Sequence, residues 1–211
     1  MNYNYIVIEG NIGAGKTSFA TMLAQETGSR LVLEQFSDNP FLARFYEDPE
    51  RYAFQLELSF LSERYQQIKT ELGHPDLFGQ SVVSDYFLAK SFIFSKHNLK
   101  DDEMMLFEKL YYIIQQQAPR PDLYVYLHLP VENLLENIKK RGRSYERNIQ
   151  PEYLKEVQDG YFGFFKSQTE LKILVIETSH VDFVNNRTDF QQIKKRIFDG
   201  EYKPGMNMLI L

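Results

Sequence analysis

Short apolar, β-branched runs recur along the chain, and between them the apolar positions fall at steps of three and four. The first run, YNYIVIEG, is almost wholly apolar from Tyr5 to Ile8, the pattern of a strand buried on both faces of a parallel sheet. The runs RLVLE (30–34), SVVSD (81–85), LYVYLHL (123–129) and KILVIET (172–178) repeat it. KTSFATMLAQETG places Phe19, Met22 and Leu23 at helical spacing and stops at Gly28. The longest helical pattern spans 52–72, where Phe54, Leu58, Leu61, Tyr65, Ile68 and Leu72 step by four and three into an apolar seam. DDEMMLFEKLYYIIQQQ (101–117) opens on acidic residues, as helix N-termini favour. Strand alternating with helix predicts an α/β fold, a five-stranded parallel sheet with helices on both faces. With no internal repeat or low-complexity linker, 1–211 reads as a single domain; the tail GEYKPGMNMLIL (200–211) has no assigned place.

Between the first strand and the first helix lies EGNIGAGKT, which matches G-x-x-x-x-G-K-[ST] from Gly10 to Thr17. Its glycines let the backbone N–H groups of Gly10, Asn11, Ile12, Gly13, Ala14 and Gly15 approach phosphate oxygens, and the following helix N-terminus adds partial positive charge. In that pattern Lys16 reaches the β- and γ-phosphates and Thr17 offers its hydroxyl to Mg²⁺. The N-K-x-D base-reading motif of GTPases is absent. Further on, KKRGRSYER packs Lys139, Lys140, Arg141, Arg143 and Arg147 into nine residues. Phosphoryl transfer depends on positioning and on cations that neutralise the moving group, so this stretch, about 141–149, reads as an arginine-rich lid over ATP.

Composition narrows the partners. The net charge of -5 argues against a nucleic-acid polymer. No cysteine is present, so disulfides, thiolate catalysis and cysteine zinc sites are excluded. His74, His97, His128 and His180 are scattered and do not pair at metal-ligand spacing. The first apolar run has no basic flank and no stretch approaches the ~20 residues of a membrane span, so a cytoplasmic protein without a membrane partner is expected.

Taken together, these motifs resemble the deoxynucleoside kinase family, P-loop enzymes that move the ATP γ-phosphate onto a deoxynucleoside 5′-hydroxyl. GNIGAGKT resembles its loop, LEQF with NPFLARFYEDPERYAFQLELSF its substrate-site segment, RGRSYERNIQPEYL its lid and SHVDF its adenine loop. The resemblance implies that Glu34 is the general base and that Tyr46 and Glu146 hold the sugar 3′-hydroxyl. It implies Asp85 near Mg²⁺, Arg141 and Arg143 on phosphate, and Asp182 and Phe183 at the adenine. It also implies a homodimer formed through helices beside the sheet.

Two positions depart from the family. Relatives carry an Arg after the acidic residue that ends the third strand; here Tyr86 follows Asp85, and an alternative register offers only Gln80. The compensating charge comes either from Lys90, five residues after Asp85, or from the lid arginines. Where relatives read the base with a Gln, this chain has Glu57, with Arg64 seven residues on. That spacing is nearly two helical turns, so both lie on one face ~10 Å apart. An ionised Glu offers acceptors only, which suits the adjacent N1–H and N2–H₂ donors of guanine, and Arg64 suits its O6 and N7. The expected acceptor is a purine deoxynucleoside, deoxyguanosine ahead of deoxyadenosine. Two other readings stay open. One is a nucleoside monophosphate kinase with Arg44 and Arg51 as its phosphate clamp; the other is an ATP-binding regulatory protein with decayed catalysis.

Overall fold

A computed structural model describes residues 3–35, 39–72 and 79–211. Phe36 of LEQF and His74 lie outside them. The five expected strands form as β1 (Tyr5–Gly10), β2 (Arg30–Val32), β3 (Val82–Ser84), β4 (Leu123–His128) and β5 (Lys172–Glu177). The unplaced tail is a sixth strand, β6 (Gly205–Ile210), so the sheet is six-stranded, in the order β2-β3-β1-β4-β5-β6. Every pairing is parallel.

The helices are α1 (Lys16–Thr27), α2 (Leu42–Glu47), α3 (Pro49–Gln67), α4 (Ala89–Asn98), α5 (Asp101–Gln115), α6 (Val131–Arg141), α7 (Pro151–Ser167) and α8 (Arg187–Asp199). A parallel sheet must be covered on both faces, and the strands alternate accordingly. Ile6, Ile8, Leu123, Val125, Leu127, Leu174 and Ile176 face one core with Phe19 and Leu23 of α1, Leu134 of α6 and Phe190 and Ile193 of α8. Val7, Tyr124, Tyr126, Ile173 and Val175 face the other, against Ile93 of α4 and Val157, Tyr161 and Phe165 of α7. Burying side chains of this size stabilises by roughly 1.5–3 kcal/mol each. Gly28 caps α1 at φ 65, a left-handed turn that glycine adopts without steric cost.

The long helix α3 turns differently from the seam its apolar residues suggest. Its buried stripe runs through Ala53, Leu56, Glu57, Leu61, Arg64 and Gln67, while Phe54, Leu58 and Tyr65 are half-exposed. A π-helical turn, Ile68–Leu72, ends it. The helix thus spends its inner face on a polar cavity and leaves apolar side chains outward.

Because β1 sits between β3 and β4, the C-terminal strand ends open a crevice at the point where strand order reverses, the usual ligand site of such sheets. Gly10, Asp85 and Glu34 all lie at or just past the ends of their strands there.

Candidate active site

The loop between β1 and α1 takes its shape from two glycines. Gly13 and Gly15 hold φ of 87 and 80, where side chains are strained. A Cβ at Gly13 would lie 2.7 Å from the Leu134 carbonyl oxygen, and one at Gly15 would lie 2.8 Å from the Phe183 ring. Asn11 anchors the loop from below, donating through Nδ2 to the Leu154 carbonyl at 2.7 Å and accepting from the Ile12 N–H at 2.8 Å. Its side chain is therefore a brace, and only its backbone is left for phosphate. Lys16 Nζ reaches back to the Asn11 carbonyl at 3.4 Å. Burial, and then the charge of Lys90, pull the Lys16 ammonium down to about 8.

Thr17 Oγ1 donates to Asp85 Oδ2 at 2.5 Å, and Asp85 Oδ1 accepts the Glu34 N–H at 2.7 Å. Asp85 thus fixes both the loop threonine and the backbone of Glu34. The Glu34 carboxylate is buried and contacts Arg64 through one oxygen and Lys90 through the other. Burial pushes it up, but Lys90 and then Arg64 reverse that and hold it well below the usual carboxylate range. Lys90, five residues after Asp85, thus contacts Glu34 together with Arg64. The phenol of Tyr86 is buried.

Two cavities meet at this point. The larger, ≈ 600 Å³, is lined by the glycine loop, Asn133, Lys140, Thr178, Ser179 and the stretch 181–185. The smaller, ≈ 110 Å³, is a box walled by Leu42, Phe45, Leu56, Phe60, Phe94 and Tyr153, with Tyr46, Glu57, Arg64 and Asn98 among its polar groups. Lys16, Thr17, Arg141 and Arg143 line both.

The expected lid links α6 to α7. Gly142 ends α6 at φ 73, and a 3₁₀ turn follows at Ser144–Glu146. Glu146 is buried and takes Arg141 at 2.5 Å and Arg143 at 3.3 Å. Tyr145 stacks on Tyr46, ring centroids 5.9 Å apart, so the lid and α2 close one wall of the box. Arg147 is exposed and lines neither cavity, unlike its expected place on ATP. Asp182 and Phe183 line the larger cavity, with Phe183 set edge-on against Phe19. The Asp182 carboxylate accepts from Asn185, which lowers its pKa.

Arg64 is the main difference from expectation at the base end. Its Nε and Nη2 go to Glu34 and its Nη1 to Ser91, so three of its five donors are held within the protein, although it lines the box. Glu57 accepts instead from Asn98 Nδ2 at 2.6 Å. Burial raises the Glu57 carboxyl to about 7, against the lesser effects of Asn98, Arg64 and Lys90.

Sequence reasoning missed Asn98 and Glu9. Asn98 follows Lys90 and Phe94 at steps of four, a helical stripe that was available as a signal. Glu9, next to last in β1, has no exposure, and accepts from the Phe87 N–H at 3.0 Å and the Tyr161 hydroxyl at 3.0 Å. Its burial raises its pKa.

The family model for deoxynucleoside kinase matches residues 6–200. The chain is 36% identical over 197 residues to the deoxyguanosine kinase of Bacillus subtilis (strain 168), covering 92% of this chain and 95% of that one. It is 32% identical over 193 residues to the deoxyadenosine kinase of Dictyostelium discoideum, covering 90% and 78%. The solved structure of deoxyadenosine kinase from M. mycoides with bound dATP shares the fold, with a TM-score of 0.78 at 23% identity over 92% of this chain and 98% of that one. A glycine loop, a clamped carboxylate, an arginine lid and these likenesses converge on one conclusion, that the chain belongs to the deoxynucleoside kinase family.

Proposed function

We propose that this enzyme transfers the γ-phosphoryl group of Mg²⁺-ATP to the 5′-hydroxyl of a purine deoxynucleoside, deoxyguanosine ahead of deoxyadenosine. The observation that carries this reading is the sharing of Lys16, Thr17, Arg141 and Arg143 by the two cavities. ATP fills the larger, its adenine beside Asp182 and Phe183, and the nucleoside fills the box. The phosphoryl group crosses where the four shared side chains meet.

Glu34 stands at that crossing. Its two cations keep it ionised as an acceptor for the 5′-hydroxyl, and they also make it a weak base. It therefore orients the hydroxyl first and takes the proton late, as fits a loose phosphoryl transition state. Lys16, Arg141 and Arg143 neutralise the transferring charge. Tyr46 and Glu146 hold the 3′-hydroxyl. Thr17 and Asp85 place two hard oxygens side by side, a donor set that suits Mg²⁺ completed by phosphates and water. Held by Thr17 and Asp85, the ion would offset the charge of the phosphates.

At the base end the ionised Glu57 meets the N1–H and N2–H₂ of guanine. A monophosphate acceptor would need its own clamp, and Arg44 and Arg51 instead lie over the Tyr52 ring at 5.9 and 5.3 Å and line neither cavity. A homodimer fits the exposed Met105, Leu106, Tyr112 and Ile113 of α5, an apolar face beside the half-exposed residues of α3. A cytoplasmic setting suits an enzyme that draws on ATP. The test is phosphate transfer from ATP to the four deoxynucleosides and to dGMP. Deoxyguanosine is expected to give the highest kcat/KM and dGMP none; transfer to dGMP alone, or to a pyrimidine first, would overturn the assignment.

A further inference from the structure

Glu57 is a buried carboxyl in a box where the cations that act on it are Arg64 and Lys90, yet neither pairs with it. Arg64 and Lys90 both contact Glu34. One Glu57 oxygen, Oε1, takes the Asn98 amide; among the described residues the other, Oε2, has no hydrogen-bond partner. The groups that face it are Arg64 on its own helix, Lys90 on α4, Glu34 after β2 and the Tyr153 phenol on α7. Such a carboxyl is free to change charge without breaking an ion pair.

The two charge states present different edges. The carboxylate accepts at both oxygens. The carboxylic acid donates from one oxygen and accepts at the other. Guanine shows donors at N1 and N2, which match the carboxylate. Adenine shows an acceptor at N1 and a donor at N6, which match the acid. Asn98 Nδ2 already donates to Oε1, so the proton of the acid belongs on Oε2, the oxygen left for the ligand.

Resting on the reading of this wall as the nucleobase wall, we propose that Glu57 takes guanine in its ionised form and adenine in its protonated form, so that pH sets the order of the two purine substrates, with Asn98 positioning the proton. Burial puts the Glu57 transition at about 7, inside the range where such a switch is felt. Each state admits one purine, so the ratio of kcat/KM for deoxyguanosine over deoxyadenosine rises with pH. In the limiting case it climbs about tenfold per pH unit through the transition. Other titrations of the enzyme, Lys16 among them, act on both substrates and cancel in the ratio.

The experiment is that ratio for the whole enzyme from about pH 6 to pH 8, a range in which neither base itself titrates. A rising ratio in the wild type that becomes flat in Glu57→Gln is the expected result. In Asn98→Ala, loss of the bond that favours the ionised form moves the rise to higher pH; this arm needs no Glu57 variant to fold. A flat wild-type ratio, or a slope that survives in Glu57→Gln, overturns the switch. Failure to phosphorylate either purine overturns the nucleoside assignment instead, so the two failures are distinct.

Discussion

Glu34 and Glu57 line the same cavity, both with side chains largely out of water, and their charge states are set in opposite directions. Burial pushes each upward. Glu34 has Lys90 and Arg64 in contact, and the balance falls toward ionisation. Glu57 has one amide, and burial prevails. Burial alone therefore does not decide what a carboxyl does; the allocation of cations among neighbours does. The phosphate end of the box holds a fixed charge, and the base end holds an adjustable one.

The comparison breaks most sharply at Glu34. Glu34→Gln is expected to lower kcat by roughly 10²-fold or more while leaving the affinity for a non-hydrolysable ATP analogue near that of the wild type. Turnover close to normal would remove Glu34 from the reaction.

Lys90→Ala leaves Glu34 with Arg64 alone. Loss of one partner from a buried ion pair costs about 3 kcal/mol or more, and the remaining arginine holds this case to about 3. Glu34 is lowered in the fold, so its stabilisation is complete above its ordinary value of 4.5 and is lost as pH falls below it. The deficit of Lys90→Ala in urea denaturation should therefore narrow toward acid. A deficit that grows there would contradict the assignment.

Glu57 carries the opposite sign. Its carboxyl is raised from 4.5 to about 7, so its contribution is complete below 4.5 and declines as pH climbs to about 7. Relative to Glu57→Gln, the ligand-free wild type should lose up to roughly 2–3 kcal/mol across that window. Parallel stability curves for the two proteins would show that Glu57 does not titrate there.

The smallest effect concerns a third carboxylate. Glu146 holds Arg141 and Arg143 in the ligand-free form, and the phosphates of ATP compete for the same arginines. Hydrogen exchange across 141–147 should slow several-fold with an ATP analogue, as a segment of like charge orders on its counter-charge. Equal exchange in both states would argue against a moving lid.

Much of this was legible from local pattern. Five of the six strands read correctly, the four inner ones because a strand buried on both faces must be apolar throughout. The glycine turn between β1 and α1 was legible because its glycines answer to backbone geometry at two positive φ values. What stayed hidden depends on partners distant in sequence. β6 alternates exposed Met206, Met208 and Ile210 with half-buried neighbours, and it is a strand because β5 offers a free edge. The helix α3 turns its charged residues inward because a polar cavity lies there, which its apolar seam conceals. The Arg64–Glu34 contact joins residues thirty apart in sequence, and no spacing rule announces it.

Glu9 has a mechanical meaning. One carboxylate gathers the end of β1, the turn before α4 through Phe87 and the middle of α7 through Tyr161. These three segments share a single buried anchor on the floor of the crevice. Asp85 adds the remaining tie, taking the Thr17 hydroxyl and the Glu34 N–H, so the spacing between the glycine loop and Glu34 is built into the ligand-free fold.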